Sequence, residues 1–316
     1  MTVDAVTLEV ARNRFAGIAD EMGVVLRRTA FSPNIKERAD CSAAIFVPSG
    51  EMLAQAEHIP VHLGSMPASV AAILAHFGDR VADGVQYAVN DPFFGGTHLN
   101  DLTLVRPVFH DQRLIGWVAN RAHHADVGGE APGSMPAHAV LLSQEGHVVS
   151  PTVAVVDGRW EPGFLNGFLG ATRTPGERLG DLSAQLGSNE AGARRVIEAV
   201  EAEGRDSYLT VAEALLAYGE ARMRSALHAI PDGEYRFTDV MEWGADDLPI
   251  GIENYDGIAA ILILVAVPTA DIPADKTWSS HHQIPLLSRS STIEQRRLRE
   301  MQMFGKNLRS GRIICC

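Results

Sequence analysis

N-D-P-F-F-G-G-T-H-L-N-D-L-T-L-V (residues 90–105), followed after a short turn by L-I-G-W-V-A-N-R-A-H-H-A-D-V-G-G (114–129), is the stretch around which the chain is organised. Two apolar runs, Leu102–Phe109 and Leu114–Ala122, flank His110-Asp111-Gln112-Arg113, the pattern of a β-hairpin. Centring the turn on Asp111-Gln112 makes opposed residue numbers add to about 223 or 224. Asp101 then faces Ala122 or His123, with Cβ atoms roughly 5 Å apart. His98 and Asp101 would point apart on a regular strand, so His98 is expected in the Gly95-Gly96 turn, free to be aimed at Asp101. Two imidazoles and a carboxylate at the open end of one ribbon are the start of a divalent-metal site. Histidines and aspartates at strand ends also commonly cap backbone or face water, and a complete site needs a fourth ligand from elsewhere.

Working outward, Cys41–Val47 and Met52–His58 form a second hairpin about Ser49-Gly50, with opposed numbers adding to about 99. Asp40 then lies at its open end beside Glu57, His58 or Ile59. Residues 57–67 (E-H-I-P-V-H-L-G-S-M-P) read as a proline-fixed loop. A helix is expected from Ser65 as N-cap, with Pro67 in its first turn and Val70, Ile73, Leu74 and Phe77 inward. Towards the N-terminus, Leu8, Ala11, Phe15, Ile18, Met22 and Leu26 mark a helix over 5–30, ended by Ser32-Pro33. Lys36 and Arg38, near Asp40, are anion contacts or solvated loop charges.

Downstream, Gly128–Pro136 suits a backbone that approaches a ligand or another chain, or an ordinary surface loop. Residues 138–160 resemble short strands. Glu177–Gly204 carries Leu179, Leu182, Leu186, Ala193, Val196 and Val200 on one face, and Ser207–Ile230 is a second amphipathic helix. Their Arg and Glu residues read as a solvated face. Pro231–Glu234 turns into a strand, Tyr235–Met241. Beyond this lie an apolar run, Ile258–Val267, and a segment of weak periodicity with a possible short helix over Thr292–Phe304. The fold class expected is α+β: β-hairpins and a mixed sheet, an N-terminal helix and an antiparallel helical pair.

The chain has 316 residues, 46 % hydrophobic and 21 % charged, ordinary proportions for a globular protein with a large core. Its net charge is −12, and residues 268–316 carry eight Lys/Arg against four Asp/Glu, leaving −16 on residues 1–267. An acidic body argues against nucleic acid as partner. No run reaches the length of a membrane span, and M-T-V-D-A-V is not a signal peptide, so a cytoplasmic protein with no membrane partner is expected. Three cysteines, Cys41, Cys315 and Cys316, make neither a disulfide framework nor a C-x-x-C site. Phosphate-cradling and serine-hydrolase motifs do not occur.

Several stretches together resemble the hydantoinase B/oxoprolinase family: R-R-T-A-F-S-P-N-I-K-E-R-A-D-C-S (27–42), A-Q-A-E-H-I-P-V-H-L-G-S-M-P (54–67), N-D-P-F-F-G-G-T-H-L-N-D (90–101), N-R-A-H-H-A-D-V-G-G (120–129) and P-G-S-M-P (132–136). The resemblance implies a divalent metal, Zn or Mn, held by Asp40, His98, Asp101 and His123. It implies catalytic roles for His124 and Asp126. Glu57, His58, His62, Asn90, Asp91, Gly95 and Gly96 would contact substrate or support the ligands. It further implies a B-type subunit that polarises a cyclic amide and activates water, while an A-type partner subunit binds the ATP. A subunit of an ATP-dependent acetone or acetophenone carboxylase, and an inactive fragment, are the alternatives. The resemblance covers roughly residues 4–242. Residues 243–316 are expected to form a divergent, partly disordered tail that reads as if translated from a shifted frame. The C-terminal half of the family fold would then be missing.

Overall fold

The computed structural model of the chain describes residues 3–57, 59, 61–229, 238–243 and 251–256. Two compact units are separated at Leu216/Ala217. The first contains a seven-stranded sheet in the order β2-β1-β5-β4-β3-β6-β7, built from β1 (Cys41–Phe46), β2 (Met52–Glu57), β3 (Val85–Val89), β4 (Asp101–His110), β5 (Arg113–His123), β6 (Thr152–Val156) and β7 (Arg159–Trp160). All its pairings are antiparallel, so the mixed sheet expected resolves to a purely antiparallel one. The α+β class holds.

The two hairpins follow from their turns. Asp111 and Gln112 both adopt positive φ (50° and 61°), the hand that matches strand twist in a two-residue turn. That turn sets Asp101 opposite His123, and Ser42 pairs with Glu57 in the other hairpin, both as expected. β1 also pairs with β5, Cys41 against Ala122, which the sequence did not disclose.

Helices cover both faces, which is why β1 is buried along its whole length rather than alternating as a one-sided antiparallel sheet would. On one face lies α3 (Val61–Phe77), whose Met66, Val70 and Ile73 pack on Ala44, Phe46, Val105, Trp117 and Ala119. The helix begins before Ser65, so residues 61–67 are helical rather than loop. Ser65 Oγ turns back to His62 O instead of capping, and Pro67 sits inside the helix.

On the other face lie α1 (Ala5–Thr29), α5 (Pro162–Ala171), α6 (Pro175–Glu203) and the first part of α7 (Arg205–His228). Asp4 caps α1 by accepting from the N–H groups of Val6 and Thr7, both at 3.0 Å. A short turn of helix, α2 (Pro33–Lys36), follows it, and a second, α4 (Leu142–Glu145), lies in the segment read as strands. The helix laid along α6 is α1: Ser188 Oγ donates to Met22 O at 2.9 Å, and Arg195 pairs with Glu21 at 2.8 Å. α7 joins the same core through Tyr208, Val211, Ala212 and Leu215.

α6 departs most from expectation. Arg178, Asp181, Gln185, Ser188 and Asn189 are buried, whereas Leu179, expected inward, is exposed. These polar residues fall three or four apart and share a face with Leu182 and Val196, so the stripe that meets the sheet is half polar. Two of them are satisfied there by sheet groups: Gln185 Nε2 donates to Leu102 O and Asn120 Oδ1, both at 2.9 Å, and Asn189 Nδ2 donates to Gln86 Oε1 at 3.0 Å.

The second unit begins at Ala217 and, among the described residues, contains the end of α7 and a hairpin of β8 (Thr238–Trp243) and β9 (Gly251–Asp256). The start of the strand expected at Tyr235, the apolar run Ile258–Val267 and the helix over Thr292–Phe304 lie outside the described residues.

Candidate metal centre

Three adjacent strands, β1, β5 and β4, place Asp40, His123 and Asp101 in a row at one end of the sheet. His123 N–H donates to Asp40 O at 3.0 Å on one side, and His123 is the register partner of Asp101 on the other. Alternation sends their side chains to the α3 face, where Ala44, Trp117 and Ala119 also point. The first turn of α3 delivers His62 to the same spot. The loop through Gly95 and Gly96 delivers His98.

The five side chains meet. His98 Nδ1 is 3.2 Å and His62 Nε2 is 3.3 Å from Asp101 Oδ2, and His123 Nδ1 is 3.3 Å from Asp101 Oδ1. His98 Nε2 lies 3.0 Å from His123 Nδ1, while Asp40 stands 3.8 Å from His123 and 4.0 Å from His62. Two atoms each bound about 2 Å from one tetrahedral ion sit roughly 3.3 Å apart, and donor atoms at comparable spacing fall into two groups that share Asp101: His98, Asp101 and His123, and Asp40, His62 and Asp101. Among the described residues, two buried atoms of the cluster, Asp101 Oδ1 and His62 Nε2, lack a hydrogen-bond partner although each lies 3.3 Å from a ring nitrogen or carboxylate oxygen of the cluster. Orphaned donors and acceptors converging on one point fit an ion better than a hydrogen-bonded core. Carboxylate and imidazole donors suit Zn²⁺ or Mn²⁺.

The surroundings orient these groups. Ser42 Oγ is 3.0 Å from His62 Nδ1, leaving Nε2 to face Asp101, and Thr97 Oγ1 donates to Asp101 Oδ2 at 2.6 Å. Burial opposes ionisation of Asp101, but the His123, His62 and His98 imidazoles outweigh it and hold the carboxyl well below its ordinary pKa. Burial likewise opposes protonation of His98, and the adjoining Asp101 and Asp40 carboxylates raise its pKa nonetheless. Asp101 and His62 form the buried floor. His98 and Asp40, with side chains 34 % and 28 % exposed, form the open side.

Other residues expected at the site do different work. His124 points to the opposite face: its Nε2 meets Gln185 Oε1 at 2.9 Å and its ring stands edge-on to Phe168. Burial pushes its pKa down to about 4, so it is a neutral core histidine near neutral pH. Asp126 accepts from the N–H groups of Gly128 and Arg173 and from the Arg173 guanidinium, tying down the glycine-rich loop. Among the described residues neither forms an ion pair or hydrogen bond with the five-residue cluster. Asn90 bonds Leu99 O, His147 O and Val149 N, and Asp91 accepts from Phe93 N–H and the Ser150 hydroxyl.

Gly95 adopts φ +85°, and a Cβ there would stand 2.3 Å from Ser69 N; one on Gly96 would stand 2.1 Å from Asn90 O. These four residues build the loop that carries His98, with Asn90 and Asp91 buried in it. The Glu57 side chain and all of His58 lie outside the described residues. Lys36 and Arg38 are exposed, matching their reading as solvated charges. The structure adds His62, expected only around the ligands or substrate, to the cluster itself. Its signal was helical: a start at Val61 puts position 62 in the first turn facing the sheet.

Known proteins share this architecture. The chain is 36 % identical over 239 residues to 5-oxoprolinase 1 of Arabidopsis thaliana, covering 72 % of this chain and 19 % of that one. It is 32 % identical over 241 residues to the caprolactamase subunit beta of Pseudomonas jessenii, covering 76 % of this chain and 42 % of that one. The crystal structure of ATP-dependent caprolactamase from Pseudomonas jessenii superposes with a TM-score of 0.73 at 31 % identity, over 77 % of this chain and 42 % of that one. The chain thus spans about two-fifths of the caprolactamase subunit and about one-fifth of the oxoprolinase. The family model for hydantoinase B/oxoprolinase matches residues 4–272, and this chain belongs to that family.

Proposed function

We propose that this chain is the metal-bearing, B-type component of an ATP-dependent hydrolase of cyclic amides, of the hydantoinase, 5-oxoprolinase or lactamase kind. The observation that carries the proposal is the pair of ligand groups that share Asp101, His98–Asp101–His123 and Asp40–His62–Asp101, with Asp101 Oδ1 and His62 Nε2 buried and without a hydrogen-bond partner among the described residues. Likeness to a 5-oxoprolinase and to an ATP-dependent caprolactamase supports the reaction class.

Asp40, His98, Asp101 and His123 would hold the ion, with His62 beside them. When bound, a divalent ion supplies Lewis-acid polarisation of a carbonyl oxygen and a more acidic water. The chain's own residues do the rest. Thr97 and the three imidazoles keep Asp101 ionised and oriented, Ser42 fixes the His62 ring, and the exposed edges of His98 and Asp40 leave one side open to a small substrate. Hydrolysis of an unstrained amide is driven in this reading by ATP used on an A-type partner subunit.

Co-purification of the full chain with an A-type subunit, followed by an assay of ATP hydrolysis against a panel of cyclic amides, tests it. Amide-dependent ATP hydrolysis with ring-opened product is expected. A folded, metal-loaded complex that consumes ATP only with ketone and bicarbonate would assign it to the carboxylases, and one that turns over neither would mark an inactive fragment.

A further inference from the structure

We propose that Arg121 is the positioning residue of the metal centre, its guanidinium tying together the separate segments that carry the ligands. The inference rests on the metal reading above and concerns what sets the spacing of the donor atoms.

Arg121 is completely buried and lies two residues before His123 on β5, on the same face. Its Nε donates to Thr103 Oγ1 at 2.8 Å, and Thr103 lies two residues after Asp101 on β4, again on the same face. Nη1 donates to Ser65 Oγ and Nη2 to Ser69 Oγ at 2.8 Å, one and two turns along α3 from His62. Nη2 also donates to Gly95 O at 3.0 Å, in the loop that presents His98, and Ser69 Oγ donates to the same carbonyl at 2.8 Å. One rigid fork thus holds β4, β5, α3 and the glycine loop, the four segments supplying Asp101, His123, His62 and His98. Among the described residues no carboxylate pairs with it directly.

A buried cation bound only to hydroxyls and a carbonyl is a costly way to fill space, since an apolar side chain of like volume would pack without desolvating a charge. What it provides instead is planar, multidentate geometry that lysine cannot reproduce. Donor atoms held a few tenths of an ångström from their places lose affinity steeply, as changes to residues that orient ligands commonly show.

The test uses the metal-free full chain titrated with Co²⁺, read by its ligand-field absorption, with far-UV circular dichroism and the thermal midpoint of the metal-free form recorded in parallel. Arg121→Lys keeps the charge but not the fork, and about 10- to 100-fold weaker Co²⁺ binding with a shifted absorption band is expected. Ser69→Ala cuts one arm and should weaken binding several-fold with the fold intact. It decides the matter if Arg121→Lys does not fold. A purely structural arginine would lower the thermal midpoint and leave the Co²⁺ spectrum and affinity of the folded chain unchanged. That result in the variants, with normal binding by wild type, overturns the inference alone. A wild-type chain that takes up no Co²⁺ overturns the metal reading and this inference with it.

Discussion

His124 offers a sharp test of how the two faces of the sheet differ. Its Nε2 faces Gln185 Oε1 at 2.9 Å, and Gln185 is oriented by donating its own amide to Leu102 O and Asn120 Oδ1. The acceptor oxygen therefore fixes the proton on Nε2, and among the described residues Nδ1 is left buried without a partner. Protonating that ring means charging it out of reach of water, and burial lowers its pKa from the ordinary 6.5 to about 4.

A histidine with a depressed folded pKa contributes stability that is fully present above its unfolded pKa. The contribution is lost as pH falls from there through the folded value, because the unfolded chain binds the proton first. Between about pH 7.5 and about pH 4.5 the loss comes to roughly 2–3 kcal/mol. His124→Gln removes the titration while keeping a polar side chain. Urea unfolding of both proteins at the two pH values isolates the effect, because the other titrating groups are common to both. The stability cost of the substitution should shrink by that amount at the lower pH. A cost that stays constant with pH would show that His124 titrates alike in the folded and unfolded chain, and that the packing assigned to it is wrong.

Three further expectations follow from the same geometry. Gly95→Ala places a Cβ against the α3 backbone at a positive φ, and should destabilise the chain by at least about 2 kcal/mol in denaturant titration. Gln185→Leu strands the Leu102 carbonyl, the Asn120 amide oxygen and the His124 ring N–H in the core, and should cost roughly 3 kcal/mol or more in the same experiment. His62→Ala should lower metal affinity about 10-fold or more, and Ser42→Ala by less, as measured by competition with a chromophoric chelator.

The hairpins and the Asp101–His123 juxtaposition were legible because a two-residue turn and a period of two leave a single register. The same alternation argued against a shared role for His123 and His124, since successive residues take opposite faces. The polar stripe of α6 was not legible. Arg178, Asp181, Gln185 and Asn189 have the composition of a solvent face; sheet amides and carbonyls make Gln185 and Asn189 core, while Arg178 and Asp181 pair with each other and Asp181 accepts from the Phe31 and Ser32 N–H groups. His62 was read into a loop because Pro60 and Pro67 bracket it, yet Pro67 is accommodated within α3. The pairing of β1 with β5, which brings Asp40 beside His123, joins residues some eighty apart and has no local signal.

The most direct test is the metal content of purified, extensively dialysed protein, measured by elemental analysis for wild type and for Asp101→Asn with circular dichroism as a check on folding. About one Zn or Mn per wild-type chain, with at least a ten-fold drop in the variant, is the predicted outcome. Equal metal in both proteins, or none in a folded wild-type chain, would contradict the assignment of Asp40, His98, Asp101 and His123 to a shared ion.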